Sequence, residues 1–580
     1  MVEKNNTISA ASATSPSTNK AGTSVEIPKL DTIPIIFIPG IMGSNLRNKK
    51  SKDPVWRIGN YAGAAKTVYN QSQKSPAQLQ RELNAESSEV DPTGDLYIDP
   101  RGKITSKEAK EERLWGTVHW ESYGPTLMFF EGALANVQLE EKSKKWYQKA
   151  DGYQLIAQDD KYLLDWLSLL SSNEKQTWNP QIGFESIDKN DIEKLKRFNF
   201  PVYALGYNWL QSNALSADDI VKTMKSIKAK YGKNFHKFIV VTHSMGGLVG
   251  RNLSKKMAGD IAGIVHGVMP SVGAPAVYRR LVAGSIEGSG VKDYAAGLVL
   301  GKNTEHVTAV LANSQGGLEL LPSKDYQIIK KDKTTTPYWL SLRGTDEKGT
   351  IHVVNLPKSD PYKEIYKAHN VWWEMTKDEL INPLSKKYPR KTARENFEYL
   401  IGGVQDFHES IEKHYHTHTY INFGADSKNM TFGTLHWGLD RPLTGLNPTQ
   451  LQTLPRVNGQ EIQNKNNQVL EKMKEIKDNK EKKEYFDKNY IPNNGFRYIR
   501  LASGRYGKFT ISSKNLYGDG TVPFYSGVAP ISPTKQAGIK QVFQMEGFDH
   551  QGSYGNQHVR RSVLYSIVKI IKDNNIQPRR

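Results

Sequence analysis

His236-Lys237-Phe238-Ile239-Val240-Val241-Thr242-His243-Ser244-Met245-Gly246-Gly247-Leu248-Val249-Gly250-Arg251 carries an apolar run up to a serine, then passes through small residues into a helical pattern. A strand that ends on a tight turn and enters a helix presents its turn residue at the top of a sheet, which is how a nucleophile elbow reads. Serine is a weak nucleophile at its free pKa and needs an adjacent base, itself oriented by an acid. The run therefore predicts Ser244 as a nucleophile and asks the rest of the chain for a base, an acid and an oxyanion hole. Thr242 stands where this turn usually has glycine, because a larger residue crowds the helix. Gly246, where the backbone turns most closely, is intact.

Working outward, the segments around this run alternate between strand and helix. Pro34–Gly40 is a short apolar strand leading into a glycine turn, and Pro201–Leu205 is another. Residues 216–231 form an amphipathic helical pattern, the helix after Ser244 extends to about Met257, and Ile261–Val268 is the next strand. This β-α-β order predicts an α/β fold with a mostly parallel sheet and helices on both faces. Helical periodicity also marks 161–172 and 189–199. Sheet-like sequence returns at Thr419–Gly424, then at Lys508–Ser512, Gly518–Pro523 and Gln541–Met545, before a final helix over His558–Asp573. The expected organisation is a disordered leader over 1–30 and one hydrolase-type domain over 31–580. Insertions are expected at about 48–112, at 279–415 as a cap or lid, and at 445–495 as a charged helical segment.

Composition narrows the chemistry. The 580 residues include no cysteine, which excludes disulfides, a thiol nucleophile and cysteine metal sites. The formal net charge is +19, which suits a basic surface or attraction to an anionic membrane. No nucleic-acid motif accompanies it. Residues 1–26 lack the apolar core of a cleavable signal peptide. The longest uncharged stretches, Phe198–Ala217 and Ile261–Tyr278, hold prolines and polar residues that suit buried strands and loops rather than membrane spans.

In α/β-hydrolases the triad follows in the order serine, acid, histidine. Downstream of Ser244 stand Gly518-Asp519-Gly520-Thr521-Val522-Pro523 and Gly547-Phe548-Asp549-His550-Gln551. Asp519 and His550 are thus the expected acid and base, each on a loop after a strand. Asp426, in Gly424-Ala425-Asp426, is the runner-up acid. The rival histidines are His558 and the cluster His414, His416 and His418, whose alternation offers either a zinc site or a polar strand face. The oxyanion hole should use two backbone N–H groups. Met245 follows the nucleophile, and Ile41 lies in the glycine loop Pro39-Gly40-Ile41-Met42-Gly43-Ser44. There is no strong calcium-loop pattern, and neither a metal nor a cofactor is expected.

Several of these blocks together resemble the lecithin:cholesterol acyltransferase-like lipases. They are Phe37–Leu46 with Trp56 soon after, Tyr207-Asn208-Trp209, the elbow Thr242–Gly246, and Gly518–Val522 with a histidine motif about thirty residues on. His266–Arg280 and Gly316–Pro322 are narrower and look like the bacterial type VI secretion lipase effectors. That resemblance implies an antibacterial phospholipase acting on membrane phospholipid, with Ser244, Asp519 and His550 as its triad. It implies synthesis in the cytoplasm, delivery on a type VI spike component to a rival's periplasm and membrane, and a cognate immunity protein. Two other readings stay open from the residues alone: a non-secreted bacterial lipase or acyltransferase, and a non-catalytic binding protein on the same scaffold.

Overall fold

Strands buried on both faces read as continuous apolar runs, and six largely buried strands build the centre of this molecule. They are β1 (Ile35–Ile38), followed along the chain by β2 (Val202–Ala204), β3 (Phe238–His243), β4 (Ile261–Gly267), β5 (Thr419–Gly424) and β6 (Ile539–Met545). Every residue of β1, β3 and β4 is buried. The structure is a computed structural model. It describes residues 2–4, 7–11, 22–26, 30–57, 73–98, 104–137, 139, 145–149, 152–156, 162–285, 301, 303–457, 459–490 and 494–579.

The six strands form one all-parallel sheet in the order β2-β1-β3-β4-β5-β6. Alternate side chains leave the pleat on opposite faces. Ile35, Phe37, Ile239, Val241 and Val265 join the core with α1 (Trp120–Ala135). Ile36, Ile38, Val240 and Ile264 point the other way. They pack with α2 (Asn213–Tyr231), α3 (Gly246–Lys256) and the end of α4 (Ala393–Ile411). The last helix, α5 (Gln557–Asp573), lies on the α1 side. This is the α/β-hydrolase fold, as the sequence predicts. β2 adds on one side of β1 and β3 on the other, so the strand order reverses there. Ligands of open α/β sheets bind outside the carboxyl ends at such a point.

A second core surrounds Tyr278, Trp339, Trp372 and Trp437. Over it lies a five-stranded sheet in the order Ile351–Leu356, Leu340–Thr345, Leu435–Leu439, Tyr506–Ile511, Phe496–Arg500. This differs from the expected organisation in two ways. Lys508–Ser512 does not return to the central sheet: Tyr506–Ile511 pairs with Leu435–Leu439 in the cap. Nor is the cap a single insertion over 279–415, since its sheet recruits strands from both sides of the helices Gly459–Glu475 and Asn479–Asn489. The physical reason is that a short strand carries no mark of which sheet will bury it; the partner decides. The 48–112 region also packs against the cap, where Gln80 donates to the Tyr388 hydroxyl at 2.8 Å and accepts from the N–H of Leu384 at 2.9 Å.

The expected leader falls mostly outside the described residues, between the short antiparallel strands Val2–Lys4, Thr7–Ala11 and Gly22–Glu26. Residues 286–300 of the apolar stretch Val282–Leu300 also lie outside them. Among the described residues no helix is long and apolar enough to cross a membrane.

Candidate active site

The elbow forms where β3 runs into α3, and Ser244 takes a φ of +52°. A positive φ on a residue with a Cβ is strained and must be held by its surroundings. Two contacts hold it: Ser244 N–H donates to Gly267 O at 2.9 Å, and Gly247 N–H donates to Ser244 O at 2.8 Å. Glycine is required at 246, where a Cβ would stand 2.4 Å from Pro39 O. Thr242 fits because Gly250, facing it from α3, makes room. A Cβ on Gly250 would lie 3.0 Å from the Thr242 methyl. The Thr242 hydroxyl pairs with His266 Nδ1 at 2.9 Å, and its carbonyl accepts from the Tyr554 hydroxyl at 2.8 Å.

Three residues drawn from distant parts of the chain meet at this turn. His550 Nε2 lies 2.8 Å from Ser244 Oγ, and His550 Nδ1 lies 2.8 Å from Asp519 Oδ2. Asp519 is fully buried, and its other oxygen accepts the N–H groups of Thr521 at 2.9 Å and Val522 at 2.7 Å. The two loops are tied directly, since His550 N–H donates to Asp519 O at 2.7 Å. A carboxylate so held orients the imidazole with its Nδ1–H toward the acid and its Nε2 free to accept the serine proton.

Asp426, the runner-up, does not face His550. Its carboxylate accepts the N–H of Lys428 at 2.8 Å, which holds its pKa below the usual carboxylate range, and the N–H of Gly547 at 3.1 Å. Beside it, Asn429 donates to Phe548 O at 2.8 Å and its own carbonyl accepts Gly520 N–H at 3.0 Å. Asp426 and Asn429 thus brace the loops that carry Asp519 and His550. His558 sits elsewhere, 2.7 Å from Glu174. His414 pairs with Ser254 at 2.9 Å, while His416 Nδ1 accepts the N–H of His418 at 3.1 Å. Among the described residues no cluster of three metal-ligating side chains is present.

The loop after β1 lies against the elbow. A Cβ on Gly40 would approach both the His243 ring and Ser244 Cβ at 3.0 Å, so the close approach depends on glycine. Trp56 Nε1–H donates to Met42 O at 2.8 Å, and Ser44 Oγ accepts Tyr207 N–H at 2.9 Å, pinning the loop from outside. Asn208 donates to Ala85 O and Ser88 O, each at 3.0 Å. Among the described residues, the N–H groups of Ile41 and Met245 donate to no protein acceptor. Gly40 N–H is engaged by the Tyr123 hydroxyl at 3.0 Å. Sequence reading missed Tyr123 and Tyr554. Each is one aromatic in an ordinary apolar pattern, and nothing local marks it as reaching the elbow.

No family model matches the chain, and no curated protein matches it. A solved structure described as the crystal structure of the Tle4–Tli4 complex aligns with a TM-score of 0.69 and 29% identity, covering 94% of this chain and 99% of that one. Phospholipase PlaB from Legionella pneumophila aligns with a TM-score of 0.14 and 11% identity over 56% of this chain and 84% of that one, too distant to carry an argument. The resemblance to the type VI secretion lipase effectors, first read from short motifs, extends over nearly the whole chain.

Proposed function

We propose that this chain is a serine-dependent phospholipase that cleaves fatty-acyl esters of membrane phospholipids, and that it serves as an antibacterial type VI secretion effector. The observation that carries the reading is the hydrogen-bonded line from Ser244 through His550 to Asp519 at a strained strand-to-helix turn. In this reading His550 takes the proton of Ser244 as the hydroxyl attacks the ester carbonyl. The N–H groups of Ile41 and Met245 donate to the oxyanion. His550 returns the proton to the leaving alcohol, and water repeats the sequence to release the fatty acid.

The lipid substrate and the delivery route are supported by the whole-chain likeness to the type VI lipase effectors. The neighbour was solved as a complex with Tli4, which supports a cognate immunity protein for this chain as well. Delivery by a spike component to a rival's periplasm belongs to the same proposal.

The test is hydrolysis of a phospholipid panel by purified protein beside Ser244→Ala. Loss of the nucleophile should lower kcat by at least about a thousandfold. A fluorophosphonate should label the native protein at Ser244 and leave the variant unlabelled. Full activity in Ser244→Ala would sink the proposal.

A further inference from the structure

Beneath the Ser244–His550 pair runs a second polar chain that the reaction above does not use. Tyr123, on α1, accepts Gly40 N–H at 3.0 Å, and its hydroxyl lies 3.0 Å from His243 Nδ1. His243 Nε2 lies 3.0 Å from the main-chain carbonyl of His550. A carbonyl oxygen only accepts, so His243 carries its proton on Nε2 and its Nδ1 is an acceptor. The Tyr123 hydroxyl must therefore donate to that Nδ1. Burial pushes His243 down to about 3, with nearby His550 adding to the effect, and burial pushes Tyr123 up to about 12. Neither group changes charge near neutral pH, so the direction of the chain is fixed. The two rings pack edge to face with centroids 5.5 Å apart.

The ends of this chain are what matter. One end is Gly40, which precedes Ile41 in the oxyanion loop. The other is the backbone of His550. We infer that Tyr123 and His243 are positioning residues for the hydrolysis: they hold the base and the oxyanion loop at a set separation around Ser244, and they keep Gly40 N–H out of the anion site. The anion site is then left to Ile41 and Met245. The inference rests on the serine-hydrolase reading. Its physical basis is that a small misplacement of base or donor acts on the transition state rather than on lipid binding.

The experiment measures kcat and KM on a soluble short-chain phospholipid for wild type, Tyr123→Phe, His243→Gln, His243→Leu and Ser244→Ala. Glutamine retains a donor for the His550 carbonyl and an acceptor for Tyr123, and leucine retains neither. Active sites are counted by fluorophosphonate titration, so a loss of folded protein does not imitate a loss of kcat. Tyr123→Phe and His243→Leu should each lower kcat per site by about tenfold or more, with KM within about twofold, and His243→Gln should recover most of the loss. Wild-type kcat per site in Tyr123→Phe overturns the inference, and so does a His243→Gln variant no better than His243→Leu. Wild-type hydrolysis by Ser244→Ala is a separate outcome, which overturns the hydrolase reading itself.

Discussion

At position 242 a hydroxyl and a methyl stand where the turn usually carries only hydrogen, and each has a partner that accommodates it. The hydroxyl pairs with buried His266, and the methyl fills the space left by Gly250. The threonine and the glycine thus compensate each other across the β3–α3 contact. Gly250→Ala should destabilise the fold by about 1 kcal/mol, because overpacking outweighs the helix preference of alanine. Combined with Thr242→Gly, the same change should be relieved, so the double variant should exceed the sum of the singles by about 1 kcal/mol. Denaturant unfolding of the three variants checks this, and simple additivity refutes it. Ser244, Asp519 and His550 were legible in the sequence because each lies in a short motif whose backbone shape needs glycine or a tight turn. The bracing by Asp426 and Asn429 was not legible. Asp426 follows a strand just as a catalytic acid does, and only the position of Gly547 shows what it holds.

Among the elements, α3 does more than follow the nucleophile. Its Arg251 is buried and reaches the carboxyl end of α4, donating to the carbonyls of His414 at 3.1 Å, Glu412 at 3.2 Å and Ile411. It also donates to Ser271 O at 2.9 Å and lies 4.1 Å from the centre of the Tyr415 ring. The last carbonyls of a helix have no intrahelical partner, and a cation there satisfies both their lone pairs and the helix dipole. α4 in turn contributes Phe397 and Ile401 to the cap core and Phe407 and Ile411 to the sheet core. Arg251 is therefore the polar fastening between the nucleophile helix and the helix that joins the two cores. Arg251→Met should cost about 3 kcal/mol by leaving these carbonyls buried and unpaired. Equilibrium unfolding measures it, and a change below about 0.5 kcal/mol contradicts the account. The sequence signalled α3 by periodicity but placed α4 only within the expected cap, and it contained no sign that one caps the other, since the residues are some 160 positions apart.

Among the described residues, five of the buried histidines set the response to acid: His119, His243, His266, His408 and His416. Burial lowers His119, His243 and His266 to about 3, and His408 and His416 to about 4. Each is neutral when folded and takes up a proton readily only when unfolded. Each therefore contributes stability that is complete above pH 6.5 and is lost as pH falls toward its folded pKa. Glu319 acts in the opposite sense. Burial raises it to about 8, so the stability it contributes below pH 4.5 is lost as pH rises to 8. Stability should peak at about pH 7, fall steeply below it, and fall above it by at most about 1.4 kcal/mol per pH unit. Glu319→Gln should flatten the limb between about pH 7 and 8. Thermal or denaturant unfolding across pH tests both limbs, and an unchanged alkaline limb in Glu319→Gln refutes the assignment. The net charge does not come from the lysine-rich helices over 459–489, which hold eight lysines against seven carboxylates. By itself the sequence determined the parallel α/β sheet, the elbow and the order of the three motifs. Apolar period and glycine-bearing turns are local properties, and a strand-to-helix corner needs them wherever it occurs. Only the tertiary structure decided which sheet buries each short strand, which acid faces His550, and that Tyr123 and His243 stand beneath the base. Those outcomes depend on contacts between residues from 31 to 307 positions apart, where packing and hydrogen-bond geometry in three dimensions choose among locally equivalent side chains.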